Sequence, residues 1–508
     1  MVITDPLSGE PGEPGSPRRS GRPDSPGESG ESGSRRGDRP SLGVFDGARP
    51  DHQGDLAPET AGMAPVPLSG RYGATWRNFT VWFGPNMELS GVFTGTLVFT
   101  LGLGFWPGLA AMLIGVALGA LPVALLALWG PKTGMAQLPL ARLPFGRSIA
   151  LPALVQWFSA IAWDALVGLF GGEAVQILFH VPFFVGVLIV LGLEGAVGIL
   201  GYEFIHQLEA WGSAILVVLF AILTVKIIQH GNVPMHSSVH GTAAVGIFVL
   251  VTTITFSGSF SWASYAADYS RYMKPDASGR GIFWATFAGL FTSLAWMYTI
   301  GLAGAKSFSN QTVAGVQNLM GGGFLGVLAL VAILFGSVTG TAMNDYSGSL
   351  AVQAGGVRIR RPISAGLGTV LVFFLVLWIH GGDTASKFQN VLLFTAYWIA
   401  PFLAVVLIDW YRRGQSVTRT RLLETMNFRS LGSGWPALVA LIVGFAAMVP
   451  FMNTGIIEGP AATALAGADI SFYVGFVVAA AVYFPLRNLE TGRARRVPSR
   501  LAAAGTGP

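Results

Sequence analysis

Twelve stretches of about twenty or more mostly apolar residues constrain this chain more than any other feature. They cover residues 79–104, 107–130, 150–178, 182–201, 206–229, 241–265, 282–304, 324–350, 363–381, 387–411, 434–453 and 468–487. As a helix, each is long enough to cross the ~30 Å hydrocarbon core of a bilayer. Hydrophobic residues make up 52% of the chain and charged residues only 11%, where a soluble domain carries ~25% charged residues. A water-soluble core cannot hide that much apolar surface, so lipid must solvate it. The expected fold class is an all-α polytopic membrane protein with 12 transmembrane helices. There is no cysteine, which excludes disulfide scaffolds, thiol catalysis and Cys-ligated metal sites.

The basic residues test the count. If the chain crosses twelve times, both termini lie on one side. Of the 31 Lys and Arg, only Lys226, Lys306 and Lys387 fall in connections on the opposite side. The positive-inside rule then places both termini in the cytoplasm of a multi-pass protein of the cell membrane. The basic clusters alternate with spans and belong to no nucleic-acid module, so they are read as topology signals and no nucleic-acid partner is expected. His236 and His240 lie in an external loop and make a poor zinc site.

The flanks read differently. Residues 1–75, containing GEPGEPGSPRRSGRPDSPGESGESGSRRGDRP, are too rich in Gly, Pro, Ser and charge to bury a core and are expected to form a disordered cytoplasmic tail. Met63 offers an alternative start. Residues 76–487 are expected to form one twelve-helix domain and 488–508 a second cytoplasmic tail.

Two spans are interrupted. The first reads FTVWFGPNMELSGVFTG, in which Pro85 lacks a donor while Asn86 and Glu88 sit inside an apolar stretch. The sixth reads TFSGSFSWASYAADYSRYM, with Gly258 among Ser257, Ser259, Ser261 and Ser264, and Phe260, Trp262 and Tyr265 beside them. Small hydroxyl residues can re-satisfy backbone groups freed by unwinding. First and sixth is the offset of a five-plus-five inverted repeat, whose binding sites form where corresponding helices break. The repeats would cover about 79–229 and 241–411, with extra helices over 434–487.

Polar residues in other spans add to this. Asp164 in the third span lies seven residues after Trp157 and one after Trp163, and a carboxylate at that depth costs roughly 2.5–3.5 kcal/mol on insertion scales. Glu173, nearer the end, is read as an interfacial anchor. The eighth span crowds Ser337, Thr339, Thr341, Asn344, Asp345 and Ser347 together. Close helix packing explains the Gly and Ser but not the adjacent Asn and Asp.

FGPNMELSG after Trp82, WDA in span three, AADYSRYM closing span six, TGTAMNDYSGSL in span eight and YWIAPFLAVVLIDWY in span ten resemble the nucleobase:cation symporter-1 family of cytosine, purine, uracil, thiamine, allantoin and hydantoin transporters. The resemblance runs from about Arg77 to Leu486. It implies a LeuT-like fold of two inverted five-helix repeats plus two extra helices, and import by symport with sodium or protons. It also implies a planar heterocycle sandwiched between Trp157 or Trp163 and Phe260 or Trp262, with its edge bonded by polar groups of spans one, three, six and eight. Asn344 matches the family's span-eight reader of the base edge, and Asn86 and Ser259 are further candidates. The glutamine of the hydantoin branch is replaced by Ile161 or Val167, which argues against hydantoin and leaves Gln156 and Asp164 as replacements. For sodium, Phe83, Gly84 and Met87 with Ser337 and Thr339 occupy the family's ligand positions, although Val338-Thr339 stands where members carry Ser-Thr.

A hard cation wants oxygen ligands, and stacking supplies roughly 1–3 kcal/mol per base while edge bonds supply identity. The competing readings are a LeuT-like symporter for another metabolite such as an amino acid, and a transport-inactive sensor on the same scaffold. An enzyme would need a catalytic motif, and neither HExxH nor a P-loop is present. The expected partners are a nucleobase and membrane lipid, with no cofactor beyond the coupling ion and no obligatory protein partner. A chain lacking the residues before Gly62 is expected to keep its fold and uptake, because that segment has little apolar content; loss of either in the truncation would contradict the tail assignment.

Overall fold

In a computed structural model of the chain, the structure describes residues 62–200, 202–308, 311–357 and 361–496. Helix occupies every one of the twelve apolar stretches, and among the described residues the only extended pairing is an isolated bridge between Asn453 and Glu458. Six helical segments are long and apolar enough to cross a membrane: Phe105–Thr133, Gln137–Phe179, Gly241–Ser264, Gly279–Phe308, Phe324–Thr341 and Thr384–Arg412. Five shorter apolar helices accompany them, Leu89–Thr100, Phe183–Ala196, Ala214–His230, Gly366–His380 and Trp435–Phe451. The chain is a membrane protein.

The first stretch divides into helices Arg77–Phe83 and Leu89–Thr100 around a tight turn at Gly84–Asn86. The sixth passes from helix Gly241–Phe260 through a tight turn at Ser261–Ser264 into Ala266–Ser270. A third interruption, at Trp398 between Thr384–Tyr397 and Ile399–Arg412, falls in span ten, which reads as continuous in the sequence. Span eight runs unbroken over Phe324–Ala354 and packs along span three, Ala150–Phe179.

Lipid gives helices no hydrophobic reason to associate, so close backbone approach through small residues must supply the attraction. The second half of span one crosses span seven where Gly95 faces the Tyr298 carbonyl and Gly301 faces the Val92 carbonyl. Span two meets span six in the same way, with Gly115 against the backbone of Thr252 and Gly119 against that of Phe256. At each position a Cβ would collide with backbone, which cannot move aside.

Buried charge ties the ends of the helices. Arg142 is almost fully buried and donates to the carbonyls of Gln353 (2.8 Å), Ala354 (2.9 Å) and Thr425 (2.9 Å), satisfying the end of the span-eight helix where carbonyls lack partners. Asp409 of span ten pairs with Arg413 (2.5 Å) and with Arg487 of span twelve (2.8 Å). Residues 1–61 of the expected tail lie outside the described residues. Its remainder is bound to the bundle: Val66 N donates to Gly134 O (2.9 Å), Arg71 Nη1 to Pro131 O (2.8 Å), and Arg271 Nη1 to Gly62 O (2.7 Å).

Gly301→Ala is expected to destabilise the fold by about 1–3 kcal/mol, read as a lower thermal midpoint in detergent. Gly366→Ala, where a Cβ meets nothing within 4 Å, should leave the midpoint unchanged or raise it.

Candidate functional site

The break in span one is built locally. Pro85 has no N–H, and the chain tightens so that Met87 N bonds Gly84 O at 2.9 Å. Asn86 Nδ2 takes the Trp82 carbonyl (2.7 Å), filling the place of a lost helix bond. Glu88 then turns extended and caps the second half-helix, its carboxylate accepting from Ser90 N (2.8 Å) and from Ser90 Oγ. The carboxylate also meets the positive end of the dipole of Leu89–Thr100 there.

In span six the hydroxyls return to the backbone, Ser257 to Ile254 O (3.0 Å), Ser261 to Gly258 O (2.9 Å) and Ser264 to Ser261 O (3.1 Å). Gly258 itself stays helical. Its missing side chain makes room for the Tyr298 hydroxyl instead.

The two breaks meet. Trp262 Nε1 donates to Asn86 Oδ1 at 3.2 Å, and the edge of Trp82 packs against both Trp262 (5.6 Å between centroids) and Tyr269 (5.5 Å). Around this contact lies a cavity walled by Pro85, Asn86, Glu88, Ser90 and Thr94 of span one, Trp163 and Val167 of span three, and Gly258, Ser261, Trp262 and Tyr265 of span six. Leu294 and Tyr298 of span seven and Gly340 and Asn344 of span eight complete it. A second cavity, of about 520 Å³, lies along the same half-helix between Phe93, Thr100, Lys306, Phe308 and Thr384.

Of the candidate residues, Asn86, Trp163, Trp262 and Asn344 share the first cavity. Asp164 stands one bond behind it, accepting from Asn344 Nδ2 at 3.0 Å. Gln156 is bonded to the Tyr265 hydroxyl, again one bond removed from the wall. Trp157 lies against Phe158 and Gly348, off the wall. Phe260 packs on Phe256 and Phe472, and Ser259 bonds the Val116 carbonyl at 3.2 Å, so both serve the contact of span six with its neighbours.

The residues expected to hold sodium lie on spans one and eight, which pack together at the break. On span eight, Gly336 and Gly340 face the broken helix, a Cβ on each coming within 3.5 Å of Met87 O and 3.7 Å of Pro85 O. Thr339, next to Gly340, bonds back to Phe335 O (3.1 Å). Ser337 turns to span three and donates to Val167 O at 3.1 Å. Gly84 O is bonded to Met87 N, and the Phe83 ring stacks on Phe79.

Two features were not singled out as site residues from the sequence. Tyr298 lies on the cavity wall in a span with neither a break nor an internal charge to mark it. Glu194 of span four is buried, lies against the Thr341 hydroxyl and leaves Oε1 without a partner. A lone glutamate inside VGVLIVLGLEGAVGIL could have been flagged by the depth rule that flagged Asp164. The Glu173 carboxylate lies 3.5 Å from His380 Nδ1.

Residues 65–475 match the family described as permeases for cytosine/purines, uracil, thiamine and allantoin. The chain belongs to this family of permeases. It is 28% identical over 466 residues to a purine-cytosine permease of Emericella nidulans, covering 86% of this chain and 89% of that protein. It is 25% identical over 479 residues to a vitamin B6 transporter of Saccharomyces cerevisiae, covering 79% and 81%. Among solved structures, it resembles Mhp1, a nucleobase-cation-symport-1 family transporter in a closed conformation with bromovinylhydantoin bound, at a TM-score of 0.67 and 14% identity over 86% of this chain and 96% of that one. The permease thus has the LeuT-like fold expected of it, and its family comprises transporters, not enzymes.

Proposed function

We propose that this permease imports a nucleobase or related planar heterocycle, cytosine or a purine in first place, across the plasma membrane by symport with sodium or a proton and by alternating access. The observation that carries the reading is the cavity at the two helix breaks, where indoles from spans three and six stand beside Asn86, Glu88 and Asn344. Flat rings stack on indoles regardless of edge pattern, and amides and a carboxylate read the edge. Trp163 and Trp262 take the stacking roles, because Trp157 and Phe260 are committed to packing elsewhere. That Trp163 and Val167 both line the wall supports reading Val167 as the residue in the place of the hydantoin branch's glutamine. The second cavity extends along the same half-helix and is the proposed outer vestibule, with twelve crossings and both termini in the cytoplasm. The vitamin B6 relative adds pyridoxine, another flat ring with polar edge groups, to the panel of ligands to be tried.

The decisive experiment is uptake of labelled bases into proteoliposomes, with and without a sodium gradient and with and without a proton gradient. No uptake of any base under either gradient would overturn the reading. Within it, Trp163→Ala and Trp262→Ala should weaken all bases alike, by roughly 1–3 kcal/mol. Asn344→Ala should cost about 1–3 kcal/mol and reorder the bases in competition binding, because it removes edge contacts instead of stacking area.

The cation is proposed to sit between the carbonyls of the span-one break and Thr339. Thr339→Ala should then weaken apparent cation affinity more than base affinity at saturating cation, while Ser337→Ala, whose hydroxyl is spent on Val167, should have the smaller effect. Unchanged cation dependence in both variants places the coupling site elsewhere.

A further inference from the structure

Donors and acceptors on the cavity wall are unevenly committed. The hydroxyl hydrogens of Ser90, Thr94 and Ser261 are already given to Glu88, to Ser90 O (2.9 Å) and to Gly258 O (2.9 Å). Trp262 Nε1 is given to Asn86 Oδ1 (3.2 Å), and one of the two Asn86 Nδ2 hydrogens to Trp82 O (2.7 Å). Beside the indoles stand two acceptors, the Glu88 carboxylate and Asn344 Oδ1, to which no described group outside the ligand site donates across the cavity. The donors still open on the wall are the Trp163 Nε1–H, the second hydrogen of Asn86 Nδ2 and the Tyr265 and Tyr298 hydroxyls.

Asn344 could in principle show either end of its amide to a ligand. Its orientation is set from behind, because Nδ2 is held by Asp164 Oδ1 at 3.0 Å and Asp164 is itself only 4% exposed. With the nitrogen held there, the oxygen is the end left for the cavity. We propose that Asp164 is a positioning residue that fixes the Asn344 amide with its oxygen toward the ligand, so that the site selects planar heterocycles carrying an exocyclic amino group. An amino group supplies hydrogens to Asn344 Oδ1 and Glu88 together. A ring bearing hydrogen in its place leaves buried acceptors unpaired, which is the stronger ground for rejection. The inference rests on the nucleobase reading above and narrows it.

The test pairs each amino base with the analogue in which hydrogen replaces the amino group, adenine with purine and cytosine with 2-hydroxypyrimidine, in competition binding to the purified full-length permease. The wild type should favour the amino member of each pair by about tenfold. Asp164→Asn lets the two amides pair in either direction and should bring that ratio toward one. The exchange Asp164→Asn/Asn344→Asp again places an acceptor oxygen toward the cavity with its partner held behind, and should restore the ratio. Binding of bases with no amino preference in the wild type overturns this inference and leaves the nucleobase reading standing. Binding of no base at all removes both. If Asp164→Asn weakens both members equally, or the exchange recovers folding without recovering the ratio, Asp164 is structural only and the inference fails. Should Asp164→Asn not fold, the wild-type ratio and the exchanged pair still decide it.

Discussion

Breaking a helix inside a bilayer frees backbone groups that no water can reach, each costing several kcal/mol if left unpaired. The centre of this permease depends on how that cost is met. Asn86 replaces a lost backbone bond by taking the Trp82 carbonyl, and Glu88 caps the helix that restarts after the break. In span six, serines return their hydroxyls to carbonyls one turn back. The same Asn86 then accepts from Trp262, so the repair of one break is joined to the other. The cavity forms where these two repairs leave polar groups facing inward, which makes the site a by-product of satisfying the backbone.

Everything around that centre is arranged to bring helices close without hydrophobic drive. The glycines of spans one and seven, and of two and six, let backbones touch. Buried arginines and aspartates fasten the ends: Arg142 on the last carbonyls of span eight, and Asp409 between spans ten and twelve. Asp268 does the same for span six, accepting from Gln137 N (2.7 Å) and Ser347 Oγ (2.9 Å). Removing one member of such a pair leaves a buried charge uncompensated, a larger loss than the pair itself contributes.

Much of this was legible in the chain. The apolar stretches, the interruption at Pro85, the serine-rich interruption of span six and the depth of Asp164 are all local features, and the structure has helix or a break at each. What the chain left open was which of several similar residues on one helix borders the cavity. Trp157 and Trp163 are both in span three, yet only Trp163 borders the cavity; Phe260 and Trp262 differ in the same way. Ser337 and Thr339 are two residues apart and therefore about 200° apart around a helix, so they could not both face span one. Gly258 looked like the point of unwinding and is instead the space occupied by a tyrosine hydroxyl from span seven.

By itself the sequence determined the class of fold, the helices, where two of them break and the family, because hydropathy, proline geometry and motif are properties of consecutive residues. Which side of each helix meets the cavity was decided only by the tertiary structure. In a soluble protein the polar face of a helix marks the outside, but here lipid and protein interior are equally apolar, so periodicity carries little contrast between them. Partners such as Asp164 with Asn344, Trp262 with Asn86 and Gly258 with Tyr298 come from different spans, and only the packed bundle brings them within reach of each other.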